Sequence, residues 1–133
     1  MRADRETLLS GIDDILAKES DRAGAGLKIA QLLRELGYRW VGLYDVNHQS
    51  EEVSIIAWAG PGPPAHPNFP IAKGLTGEAI RTRRTVNIGE VAGDPRYLKN
   101  QPNTRSEIII PILDPEDGVV IGTLDVDSDR PNA

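Results

Sequence analysis

The 133 residues contain no cysteine. That absence removes disulfides, thiolate metal sites, iron–sulfur clusters and every redox or hydrolytic mechanism that runs through a sulfur nucleophile. Histidine occurs twice and methionine once, too few for a His-rich metal centre, so neither a metal nor a cofactor is expected. Basic residues are the minority, fifteen Lys+Arg against twenty Asp+Glu for a net charge of −5. The chain therefore lacks the basic footprint by which proteins release counterions from nucleic acid. No apolar run approaches the roughly 18 residues that span a bilayer, and the N-terminal MRADRETLLSGIDD is too charged for a secretory signal. The expectation is a cytoplasmic protein with neither nucleic acid nor membrane as partner.

What remains is enough to fold. With 39% hydrophobic and 26% charged residues, the composition suits one domain over residues 1–133. Leu8, Leu9, Ile12, Ile15 and Leu16 fall on one helical face. A second helix is expected after the SDRAGAG break, with Ile29, Leu32, Leu33 and Leu36 on its apolar stripe and Gly37 as its C-terminal cap. The period then changes to two: Tyr38–Val46 and Val53–Ala59 read as strands joined by a short polar hairpin. The segment GPGPPAHPNFP, with five prolines and two glycines in eleven residues, reads as a loop, and long ordered loops tend to bind. Leu75–Arg83 is a short helix, Thr85–Ile88 a short strand, and 92–104 a second irregular loop. The chain closes on a hairpin, SEIIIPIL, a DPEDG turn, then VVIGTLDVDS. Hairpin-linked strands with interspersed helices predict an α+β fold around an antiparallel sheet.

That last hairpin carries a charge argument. With a turn at 114–118, paired residue numbers sum to 232. Ile108, Ile110 and Ile112 then share an apolar face toward the helices. On the other face Glu107 meets Asp125, with Asp127 beside them and Arg105 facing Asp127. Like charges directly opposed across strands are destabilising. Three carboxylates at one end of a face imply a shared proton, a cation from an arginine, lysine or ligand amine, or a solvated sheet edge.

Several stretches in order resemble a known family. KGLTGEAI at 73–80, TVNI at 85–88, DPRY at 94–97, TRSEIIIPI at 104–112 and GVVIGTLDVDS at 118–128 are similar to the GAF domain. The resemblance covers nearly the whole chain. It implies a central antiparallel sheet flanked by helices and a pocket roofed by loops, here 60–70 and 92–104. Within that family RWVGLY at 39–44, the glycine turn at 74–77, Ser106–Glu107 and DVDS at 125–128 resemble the free methionine-R-sulfoxide reductases. The resemblance makes Trp40 and Tyr44 aromatic pocket positions, and Glu107, Asp125 and Asp127 substrate-holding carboxylates. It does not carry over the family's cysteines, which correspond to Thr76, to about Asn100 and to the vicinity of His66. Sulfoxide reduction needs one thiolate to attack sulfur and a second to resolve the product, so the expectation is a protein that is not an enzyme.

Other residues are read beside blander alternatives. Trp58 joins Trp40 and Tyr44 as a pocket wall or as core. His48 and His66 read as loop histidines without metal-ligand spacing. Gly74 and Gly77 read as backbone-shape residues, with Thr76 a donor to a ligand. Arg81, Arg83 and Arg84 read as a solvated helix end. The chain is thus expected to bind a small amine-bearing or zwitterionic molecule through Trp40, Tyr44, Trp58, Thr76, Asn100, Glu107, Asp125 and Asp127. The competing expectation is an interaction module with a vestigial pocket. Relative to the family, a C-terminal helix beside the first helix is missing after DSDRPNA, which leads to the expectation of a homodimer.

Overall fold

The computed structural model describes residues 5–99 and 101–132. Its elements run α1 (Arg5–Lys18), α2 (Arg22–Glu35), β1 (Trp40–Asn47), β2 (Glu52–Ala59), β3 (Asn68–Pro70), α3 (Gly74–Thr82), β4 (Val86–Ile88), β5 (Ser106–Leu113) and β6 (Val120–Ser128). The strands form one six-stranded sheet in the order β3-β2-β1-β6-β5-β4, every neighbouring pair antiparallel. This is the α+β architecture that the strand patterning predicts.

Each face of the sheet has its own core. On one, Ile29, Ala30 and Leu33 of α2 pack on Val41 and Val126. Full burial of a side chain of this size stabilises by roughly 1.5–3 kcal/mol. α1 contributes Leu8, Ile12 and Ile15 to the edge of that cluster but has no buried residue of its own. The SDRAGAG stretch is mostly helix rather than a break. Asp21 accepts a hydrogen bond from the Gly24 backbone N–H at 2.6 Å, and that cap starts α2 at Arg22.

The opposite face holds two clusters. Trp40, Tyr44, Val46, Val53, Phe69 and Val120 form one, and Leu75, Ala79, Val86, Val91 and Ile109 the other. Phe69 shows that the proline-rich segment is not wholly a loop. Residues 68–70 add to the edge of β2, with Val53 opposite Phe69, and Phe69 meets Tyr44 edge-to-face at 5.6 Å. The proline is tolerated because Pro70 ends an edge strand.

The β5–β6 register differs from the expected one by two steps. Val119 belongs to the turn, so Leu113 faces Val120, and Ile121 is an extra bulged residue, so Ile112 faces Gly122. Two one-residue slips cancel in parity. Glu107 therefore stays on its expected face but stands opposite Asp127, and Asp125 stands opposite Ile109. Of the three isoleucines placed on the helix side, Ile108 packs there. Ile110 and Ile112 are 36% and 39% exposed, because α1 and α2 leave that end of β5 uncovered.

Candidate functional site

Strand pairing arranges the site residues as a grid. In one row Glu107 (β5), Asp127 (β6) and Trp40 (β1) are neighbours. In the next, Ile109, Asp125, Gly42 and Trp58 follow one another across β5, β6, β1 and β2. In the third, Pro111, Thr123, Tyr44 and Ile55 do the same. Period-two alternation puts these on one face of β1, β5 and β6, and a bulge that skips Ile56 brings Trp58 and Ile55 of β2 to the same face despite their odd spacing.

Gly42 shapes the middle row. A Cβ there would fall 2.3 Å from the Trp40 indole, so the ring lies over a position that only glycine can occupy. Trp40 Nε1 donates to the Gly62 carbonyl at 3.0 Å. The buried Gln101 amide donates to Gly62 O at 3.3 Å and Pro63 O at 2.7 Å. The two irregular loops are thereby tied to each other and to β1.

The acids are not at a solvated edge. Asp125 and Asp127 are 4% and 2% exposed. Among the described residues no lysine or arginine pairs with Glu107, Asp125 or Asp127. Arg105, expected to face Asp127, turns outward and pairs with Glu90 at 2.7 Å. Thr76, in the first turn of α3, donates its hydroxyl to Asp125 Oδ2 at 3.2 Å.

Unpaired burial makes these carboxyls hold protons. Burial pushes Asp125 up to about 8; the Thr123 and Thr76 hydroxyls oppose the shift and the Asp127 charge adds to it. Burial also holds Glu107 well above the usual carboxyl range, helped by the Asp127 charge and by a hydrogen bond between the two side chains. Asp127 is raised by burial as well, with the Glu107 and Thr104 hydrogen bonds working against the shift. The pair titrates as a unit, with Glu107 keeping the proton longer. Tyr44 is raised by burial and by the charges of Asp125, Asp127 and Glu107.

Among the described residues, four buried polar atoms, Asp125 Oδ1, Asp127 Oδ1, Thr123 Oγ1 and Tyr97 Oη, lack a hydrogen-bond partner of good geometry, although the Thr123 hydroxyl still acts on Asp125 and the Thr104 hydroxyl on Asp127 and Tyr97. Orphaned buried polar atoms each cost roughly 1–3 kcal/mol, and three of these four lie at alternate positions of β6, on Thr123, Asp125 and Asp127.

Seven of the eight residues expected from sequence converge here. Trp40, Tyr44, Thr76, Asp125 and Asp127 are buried, while Trp58 and Glu107 are half-buried. Asn100 lies outside the described residues. Sequence reasoning missed Tyr97, Thr104, Thr123 and Gln101. Thr123 had a signal, since it falls two residues before Asp125 on the same face; the loop residues had none. His66 is half-buried, and the exposed His48 is anchored by a 2.8 Å hydrogen bond to the Val120 carbonyl. No cluster of metal-ligating side chains exists among the described residues, and no helix among them is long and apolar enough to cross a membrane.

Comparison with known proteins follows the same geometry. The family model of the GAF domain matches residues 28–133. The structure is similar to that of the free methionine-R-sulfoxide reductase from Neisseria meningitidis in complex with its substrate, with a TM-score of 0.86 and 30% identity over 98% of this chain and 79% of that one. In sequence the chain is 29% identical to GAF domain-containing protein A of Dictyostelium discoideum over 96% of its own length and 78% of the relative. It is 33% identical to the free methionine-R-sulfoxide reductase of Saccharomyces cerevisiae over 66% of its own length and 48% of that protein.

Proposed function

The chain belongs to the GAF domain family, and from that premise we propose that it is a non-catalytic, cytoplasmic ligand-binding domain for a small amine-bearing or zwitterionic molecule. The observation that carries this reading is the trio of half-buried Glu107 and buried Asp125 and Asp127, with no lysine or arginine paired to them among the described residues and with two carboxyl oxygens, Asp125 Oδ1 and Asp127 Oδ1, unpartnered. An ammonium group would satisfy both oxygens with charge-assisted hydrogen bonds, each worth roughly 1.5–3 kcal/mol. An inorganic anion would meet only repulsion. The similarity to free methionine-R-sulfoxide reductases makes free methionine sulfoxide the first compound to test.

Binding without turnover follows from composition. Dithiol reduction of a sulfoxide passes through a sulfenic acid and a disulfide, and the chain has no thiol to form either. Thr76, at the position corresponding to a family cysteine, is engaged as a hydrogen-bond donor to Asp125. The test is calorimetry with L-methionine sulfoxide, paired with chromatography of the mixture in excess dithiothreitol. The reading expects heat of binding and no methionine. Methionine formed at a rate proportional to protein concentration would overturn it.

A specific observation favours the second reading, an interaction module. An apolar groove of about 310 Å³ runs between α1, α2 and the outer face of β5–β6, lined by residues such as Leu8, Ile12, Leu36, Ile110 and Leu124. Leu9 and Leu16 of α1 are 46% and 56% exposed. A second copy covering this face would form a symmetric dimer. Sedimentation equilibrium that fits a monomer at tens of micromolar would contradict it.

A further inference from the structure

We propose that the outer edge of β2 at residues 56–59 is an interaction surface that takes up an extended peptide of a partner protein as an added strand, one with apolar residues at alternate positions and a basic residue at one end. The surface is separate from the carboxyl site and does not depend on it.

β2 is longer than the strand that covers it. β3 pairs only with Glu52, Val53 and Ser54. The Ile55 N–H, donating to the Pro67 carbonyl at 2.8 Å, makes the last backbone bond on that side among the described residues. Ile56 is then bulged, since Tyr44 faces Ile55 and Leu43 faces Ala57, and the bend parts β2 from its neighbour. Backbone hydrogen-bonding direction alternates along a strand. A Cβ on Gly122 of β6 would fall 2.7 Å from the Tyr44 carbonyl oxygen, so Tyr44 turns its backbone groups to β6, and Gly42 two residues before it does the same. Trp58, opposite Gly42, therefore points its N–H and C=O outward, with no strand to receive them.

A groove of about 560 Å³ lies beside this edge, between Ala23, Gly24 and Leu27 of α2 and Ile56, Ala57 and Trp58 of β2. Ile56 and Ala57 turn their side chains to α2 beside Gly26. Trp58 packs on the opposite face of the sheet, against the Trp40–Tyr44 cluster. It thus reaches the groove through its backbone, and the groove opens onto the strand edge itself. Free edges are ordinarily shielded by charge or proline, and residues 56–59 carry neither. An added strand fits this chemistry. It closes two backbone hydrogen bonds at Trp58 and lays every second side chain on Ile56 and the exposed Leu27. Asp21 is the one charged residue in the lining, which selects a basic residue at that end.

The experiment follows the amide spectrum of the isotope-labelled full chain during titration with the peptide KTVTVTV, with ETVTVTV, and with two N-methylated forms of KTVTVTV that block its odd or its even N–H groups. The proposal expects shifts confined to residues 21–27 and 56–60. One N-methylated form should bind like the parent. The other should bind about tenfold more weakly or worse, since it loses a backbone bond and carries methyl groups into the edge. ETVTVTV should bind several-fold more weakly than KTVTVTV. Leu27→Lys, at an exposed helix position, should weaken KTVTVTV about tenfold while the melting temperature holds. Two N-methylated forms that both bind like the parent would reduce the contact to side chains and overturn strand addition. Shifts elsewhere, or none at millimolar peptide, would overturn the surface. Peptide-free broadening of amides 56–60 that grows with protein concentration would assign the edge to a second copy of the chain and overturn the peptide partner.

Discussion

Glu107 stands directly opposite Asp127 across the β5–β6 ladder, and the two carboxyls are hydrogen-bonded to each other inside the protein. A carboxyl donates a hydrogen bond only when protonated, so this pair holds a proton that two separate surface acids would have lost. Asp125, two residues along the same strand, lies in the same proton-retaining environment.

A pH dependence of stability follows. All three acids have folded-state pKa values above their unfolded values of about 4, so the folded state binds more protons across that range. Their contribution is fully present below pH 4 and is lost as pH rises toward the folded value, about 8 for Asp125. Each group contributes a slope of up to about 1.4 kcal/mol per pH unit. Asp94 and Glu90, lowered by their hydrogen bonds to Arg96 and Arg105, act oppositely. They are surface pairs with small effects, confined to the region below pH 4. Urea denaturation should show higher stability at pH 5 than at pH 8, and Asp125→Asn should flatten the slope between those values. A stability that rises from pH 5 to pH 8 would contradict the burial of these acids.

Thr76→Val removes the hydroxyl that donates to Asp125 Oδ2 while keeping the side-chain volume. Stability at pH 8 should fall by about 1 kcal/mol, the net value of one such hydrogen bond. The Asp125 carboxyl, followed by carbon-detected NMR, should titrate higher still, because a donor to its charged form is gone.

Gly42→Ala places a methyl group against the Trp40 indole, which a Cβ would approach to 2.3 Å. The ring is buried and anchored at Nε1 by the Gly62 carbonyl. Overpacking of this kind costs about 1–3 kcal/mol. The loss should appear as a lower melting temperature and as a changed near-ultraviolet signal from the displaced tryptophan.

Gln101→Ala cuts both hydrogen bonds from the second loop to the carbonyls of Gly62 and Pro63. The cost in stability should be about 1–3 kcal/mol. Amide exchange should speed up selectively in residues 60–66, with the helices unchanged. Uniform acceleration across the chain would mean that Gln101 supports the whole fold rather than tying the loops together.

The two face assignments of the closing hairpin were legible in sequence because side-chain alternation depends only on parity. The register was not, because a bulge at Ile121 and a turn that takes in Val119 leave no compositional mark. Glu107 reached the right face only because these two slips cancel. Trp40, Tyr44 and Asp125 were legible as large or charged residues at alternating strand positions. Tyr97 and Gln101 were not, since loop side chains are aimed by contacts between segments distant in sequence. Phe69 joined the sheet against the signal of five prolines because its ring had Tyr44 to pack on.

The account rests on an amine-bearing molecule meeting Glu107, Asp125 and Asp127. The most direct measurement is a thermal-shift screen of amino acids, amines and inorganic anions at pH 7 on wild type, Asp125→Asn and Glu107→Gln. The account predicts that at least one amine-bearing compound raises the wild-type melting temperature by several degrees, that both neutralised variants lose most of that shift, and that anions such as nitrate give none. Stabilisation by anions alone, or an amine shift that survives both neutralisations, would contradict it.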